Sequence, residues 1–67
     1  MSGVKYPNVT VRLTGENGNA FNLIGLTTSA IRKVEGNDAA NKFVNEAMLQ
    51  TSYDNLLVYI QEIVNVL

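Results

Sequence analysis

Val9-Thr10-Val11-Arg12-Leu13-Thr14-Gly15-Glu16-Asn17-Gly18-Asn19-Ala20-Phe21 changes its periodicity midway, and that change decides the architecture. In its first half apolar and polar residues alternate. Val9, Val11 and Leu13 point one way and Thr10, Arg12 and Thr14 the other, the period of a half-buried strand. Gly15 through Gly18 break the strand, and Asn19 is placed to cap a helix by offering its side-chain oxygen to a backbone N–H two or three residues on. Ala20, Leu23, Ile24, Ile31 and Val34, with Ala30 beside them, then recur at helical spacing. Gly36 is a natural stop, because glycine accepts the left-handed conformation that closes many helices. Gly25 inside this helix costs ~1 kcal/mol relative to alanine. Close packing against another backbone is the expected compensation.

Outward from this stretch, residues 1–7 read as a flexible N-terminal arm ending at Pro7, a residue that tolerates a strand start or edge but not a central ladder position. Downstream, a second helix is expected from Asn37 or Asp38, with Ala40, Phe43, Val44, Ala47 and Met48 at i, i+3, i+4, i+7, i+8. A third opens at Thr51 or Ser52, where Thr51 and Asp54 resemble a capping box. Its stripe is Tyr53, Leu57, Ile60, Val64 and Leu67, widened by Leu56 and Ile63. Residues 64–67 fit the end of that helix and a terminal strand equally well. The fold class is therefore α+β: one N-terminal strand followed by three helices, in a single small domain spanning 1–67.

A single strand cannot satisfy its own backbone N–H and C=O groups. Three mates are open to it: residues 3–6, residues 64–67, or the same strand of another copy. The first is short and the second reads at least partly as helix, so pairing between subunits is favoured. A two-fold axis through such a pair would make an antiparallel interface and bring two copies of Arg12 and of the glycine-rich hinge together.

Composition points the same way. The 67 residues are 46% hydrophobic, carry five basic and six acidic side chains, and include no Cys and no His. A domain this small buries only about 60% of the surface its unfolded chain exposes. Disulfides are excluded, and structural zinc sites rarely use carboxylates alone. Association into a dimer or tetramer is the remaining way to add stability. A net charge of −1 argues against a binder of DNA or RNA duplexes. No apolar stretch approaches the ~20 residues that span a bilayer, and the N-terminus lacks the apolar core of a signal peptide. No membrane association, no cofactor and a cytoplasmic location are expected.

Few residues suggest chemistry. Gly15 and Gly18 make only G-x-x-G, without the third glycine of a dinucleotide fold or the Gly-Lys-Ser/Thr of a P-loop. The plain reading is a strand-to-helix turn. The functional one is a segment whose Asn17, Asn19 and backbone amides contact a phosphate or a base edge. Arg12 grips phosphate well, or simply keeps the strand edge solvated. Arg32 and Lys33 suit the helix dipole. Tyr53 fits an apolar stripe, while Tyr6 on the arm is the freer tyrosine. Ser29, Ser52 and Lys42 show no catalytic spacing, and Glu35, Glu46, Glu62 and Asp54 are spread out. No catalytic residue and no metal ligand is expected, and the chain does not read as an enzyme.

The run from Val11 to Phe21, followed by Ile24-Gly25, Phe43, Glu46-Ala47 and Tyr53-Asp54-Asn55-Leu56-Leu57, resembles a family of small proteins encoded by phages and bacterial genomes. They share an LTGxxGNAF core and a YDxLL segment, and the likeness covers residues 9–64. Size, oligomer-forming architecture and phage setting are in turn similar to viral sponge proteins, which bind the cyclic nucleotides used as alarm signals by antiphage systems of the CBASS type. The resemblance implies immune evasion by sequestering a cyclic oligonucleotide in the host cytoplasm, without turnover. Arg12, Thr14, Asn17, Asn19 and Phe21 are then the expected ligand-binding residues. Arg12 would meet phosphate, Thr14 and the asparagines would hydrogen-bond bases or phosphates, and Phe21 would stack or wall the pocket. These roles follow from the symmetry of a two-fold strand pair. The alternative is a small oligomeric protein-binding module of phage or prophage origin.

Overall fold

Val9 and Val11 are buried while Asn8, Thr10 and Arg12 are exposed, which is the alternation expected of a strand with one face on a core. In the computed structural model, which describes residues 3–12 and 20–67, that strand is β1, Tyr6–Val11. It is followed by α1 (Ala20–Glu35), α2 (Asn37–Ala47), α3 (Tyr53–Ile63) and a short β2 (Val64–Val66). The class is α+β. Leu13 and Thr14 of the expected strand, the glycine-rich hinge and the Asn19 cap lie outside the described residues.

β1 has a mate inside its own chain. It pairs in parallel with β2, with Thr10 opposite Asn65 and Val11 opposite Val66. The expectation of a strand unpaired within its own molecule is corrected here. Ile63, Val64 and Val66 form a run too short for periodicity to separate helix from strand, and the open edge of β1 decides it. Parallel partners need a long crossover, and all three helices supply it. Pairing to another copy is thereby restricted to the other edge of β1.

The strand also starts earlier than its alternation suggests, at Tyr6 rather than Val9, so the last two residues of the expected arm belong to the sheet. The register slips between Tyr6 and Thr10. That irregularity accommodates Pro7, which has no N–H to donate. The Asn65 side chain donates from Nδ2 to the Pro7 carbonyl at 2.7 Å, and the Lys5 N–H reaches the Glu62 carbonyl at 3.1 Å.

Helix α1 faces the core with Leu23, Thr27 and Ile31, spaced four apart. Thr27 is fully buried because its hydroxyl donates to the Leu23 carbonyl at 2.8 Å. Gly36 then ends α1 and begins α2 in one residue. Its N–H donates to Arg32 C=O and its own C=O accepts from Ala40 N–H. Its φ of 98° and ψ of 176° form a combination essentially confined to glycine. No side chain caps α2, so the expected cap at Asn37 or Asp38 gives way to Gly36. At α3 the cap is Ser52, whose Oγ accepts from Asn55 N–H at 3.1 Å. The Asn55 amide in turn donates to Thr51 Oγ1, so the expected Thr51–Asp54 box is replaced.

The core comprises Val9, Leu23, Ile31, Phe43, Ile60 and Val64, each 2% exposed or less, with Ala40, Ala47 and Leu56 around them. Several stripe residues lie outside it. Val34, Met48, Tyr53 and Leu67 are 49%, 57%, 38% and 62% exposed. Each sits within one residue of an element end. On α3 the buried line is Leu56, Ile60 and Ile63, so Ile60 of the expected stripe and the two residues that widen it face the core, with Leu57 half-buried beside them. Gly25 is exposed, and a Cβ added there would meet no atom within 4 Å. Among the described residues the expected close backbone contact at that glycine is absent.

Candidate functional site

The first turn of α1 passes beside the turn that joins α2 to α3, because α1 and α2 lie against each other and Gly36 leaves them no spacer. Phe21 is 72% exposed. It lines a cleft of about 250 Å³ with Ile24, Met48, Thr51, Ser52 and Tyr53, floored by Ala47 and Leu56. Among the described residues no charged side chain lines this cleft. Its walls are two aromatic rings and a thioether, and its rim carries two hydroxyls. Each hydroxyl oxygen already accepts a hydrogen bond from Asn55, which leaves its proton to be donated elsewhere. An aromatic slot with polar donors at the rim suits a flat, hydrogen-bonding ring such as a nucleobase.

Arg12 stands immediately after β1 and is exposed, on the outward sheet face that Thr10 also presents. Thr14, Asn17 and Asn19 lie outside the described residues. Of the expected site residues, then, Phe21 meets a cleft and Arg12 is accessible. Met48 and Tyr53 are additions that helical spacing hid by assigning them to core stripes. Leu49 is 73% exposed.

A second cleft, of about 480 Å³, lies between the start of β1, α2 and α3, lined by Lys5, Tyr6, Lys42, Glu46 and Tyr59. Phe43 and Tyr59 stack at its base, with ring centroids 5.6 Å apart and planes within 12°. The Lys5 ammonium lies 5.7 Å from the Tyr6 ring centroid, within reach of a cation–π attraction. Tyr6 is half-buried in β1, so it is not the free tyrosine that the arm suggested. Burial pushes the Tyr59 phenol above its ordinary pKa, and the Glu46 carboxylate, Tyr6 and Glu62 push it the same way.

Among the described residues no three acidic side chains gather to hold a metal ion, and no helix is long and apolar enough to cross a membrane. Comparison with known families, with curated proteins and with solved structures finds no match to this chain.

Proposed function

We propose that this protein is a phage-type homo-oligomer that binds and sequesters a cyclic di- or trinucleotide signal of bacterial antiphage defence, in the host cytoplasm and without turning it over. The observation that carries the reading is that two exposed aromatic residues, Phe21 and Tyr53, line one cleft that no charged side chain enters among the described residues. Stacking on such rings is sequence-tolerant and needs no catalytic group. Arg12, Thr14, Asn17 and Asn19 flank that cleft in sequence and supply the polar chemistry that phosphates and base edges require. The test is a melting-temperature screen against a panel of cyclic nucleotides, followed by recovery of the bound nucleotide after denaturation. A hit raises the melting temperature and returns the ligand intact. Degraded ligand overturns the sponge and favours an enzyme.

A second reading rests on the same face. Phe21 and Met48 are both exposed and line one cleft, an apolar surface of the kind that docks another protein. A protein-binding module predicts no thermal response to any nucleotide and co-purification of a defined protein partner.

A further inference from the structure

The Leu67 N–H donates to the Val11 carbonyl at 3.0 Å, and Val66 is the register partner of Val11. In a parallel ladder a residue bonds through both its N–H and its C=O to the two residues flanking its partner. Val11 therefore turns both polar groups toward β2, and by alternation Thr10 turns its own to the opposite edge. That edge is open. Between it and α1 runs a groove of about 520 Å³, lined on the strand side by Asn8 and Thr10 and on the helix side by Leu26, Ala30, Lys33 and Val34. Leu26 and Val34 are 42% and 49% exposed.

We infer that this groove is a dimer interface in which the β1 edge of a second copy pairs antiparallel with this one, extending the sheet across a two-fold axis. The inference rests on the oligomeric half of the proposed function and identifies its surface. Two features of the groove select a second copy over an unrelated strand. A two-stranded sheet is marginal by itself, and one two-fold operation gives both copies a four-stranded sheet. The same operation sets α1 beside its symmetry mate on one face of that sheet, running in the opposite direction. Leu26, Ala30 and Val34 are spaced four apart, so they form one ridge of the helix. With Ala30 at the axis, Leu26 meets Val34 of the partner subunit, and the small central residue lets the two helices approach. The ridge is thus complementary to itself, as an isologous contact requires. A foreign strand would satisfy the edge of β1 while gaining nothing from that symmetry.

The dimer also gathers the outward sheet face. Pairing centred on Thr10 places the two Arg12 residues about 14 Å apart along the sheet, from the ~3.4 Å rise per strand residue. Both stand on the same side as the two copies of Thr10.

Sedimentation of the full chain without nucleotide tests the interface independently of the ligand. The expected particle has twice the 7.3 kDa chain mass at about 100 μM. Thr10→Pro removes the edge N–H but leaves the Val11 bonds to β2 untouched, so it should weaken the dimer about tenfold or more with unchanged circular dichroism. Leu26→Glu, at an exposed helical position, should do the same by another route. Because the chain has no cysteine, Ala30→Cys should cross-link into a disulfide dimer under mild oxidation, whereas Lys42→Cys, on α2 outside the groove, should not. A particle of one chain mass overturns the inference. So does a dimer that survives both weakening substitutions, which would move the contact to the Phe21–Met48 face. Nucleotide binding by a monomeric wild type would sink the interface and spare the binding function.

Discussion

The carbonyl of Val11 accepts the N–H of Leu67 at 3.0 Å. β1 is thereby tied to a segment reached only after three helices, and Val64, fully buried at the head of β2, is the apolar anchor of that tie. Val64→Ala should destabilise the protein by about 2 kcal/mol, a large part of what a domain this small holds. Asn65→Ala loses one exposed side-chain bond to Pro7 and should cost about 1 kcal/mol or less. Urea unfolding of the two variants checks the order.

Gly25 and Gly36 should respond oppositely to alanine. Gly36 has a φ of 98°, and Gly36→Ala should cost about 1–3 kcal/mol through backbone strain. Gly25→Ala adds a methyl group into open space on a helix and should stabilise by about 0.5–1 kcal/mol. The same open space makes Gly25→Leu harmless to packing. Thermal melts of both alanine variants, run side by side, read the contrast.

Tyr59 gives the protein an alkaline limit. Its phenol pKa is raised in the folded state, chiefly by burial and then by Glu46. The folded protein therefore holds that proton more tightly than the unfolded chain does, and the associated stability is fully present below about pH 10. It is lost as pH rises through the raised folded-state value. Tyr59→Phe should flatten that alkaline decline, and Glu46→Gln should bring the phenol closer to its ordinary titration. Phenolate absorbance against pH, with melts at each pH, distinguishes these outcomes.

Phe21→Ala separates binding from folding. The side chain is 72% exposed, so stability should change by no more than about 0.5 kcal/mol. The thermal shift produced by the nucleotide hit should fall, since one base–aromatic stack is worth about 1–3 kcal/mol. Tyr53→Ala should act in the same direction. An undiminished shift in both variants would remove the aromatic cleft from the binding site.

Local signals in the chain are enough to read the helices. Leu23 and Ile31, Ala40 and Phe43, and Leu56 and Ile60 each mark a buried face through a period that neighbouring residues enforce, and Gly36 marks the junction through a conformation few other residues adopt. β2 is different. Ile63-Val64-Asn65-Val66 fits a strand and a helix end equally well by itself, and its state is set by hydrogen bonds offered from β1. The exposure of Val34, Met48 and Tyr53 is equally non-local, because periodicity names a face without saying where the neighbouring element stops. At the cleft, Met48 and Tyr53 resembled core until the α2–α3 turn exposed them.

The placement of the two sheet strands has a kinetic consequence. Their ladder joins residues separated by the entire helical segment, a high contact order for so short a chain. The helices can form from neighbouring residues, but the ladder must wait for loop closure around all of them. Folding should therefore end with the strands zipping together, and the separate helices should show little structure when β2 is missing.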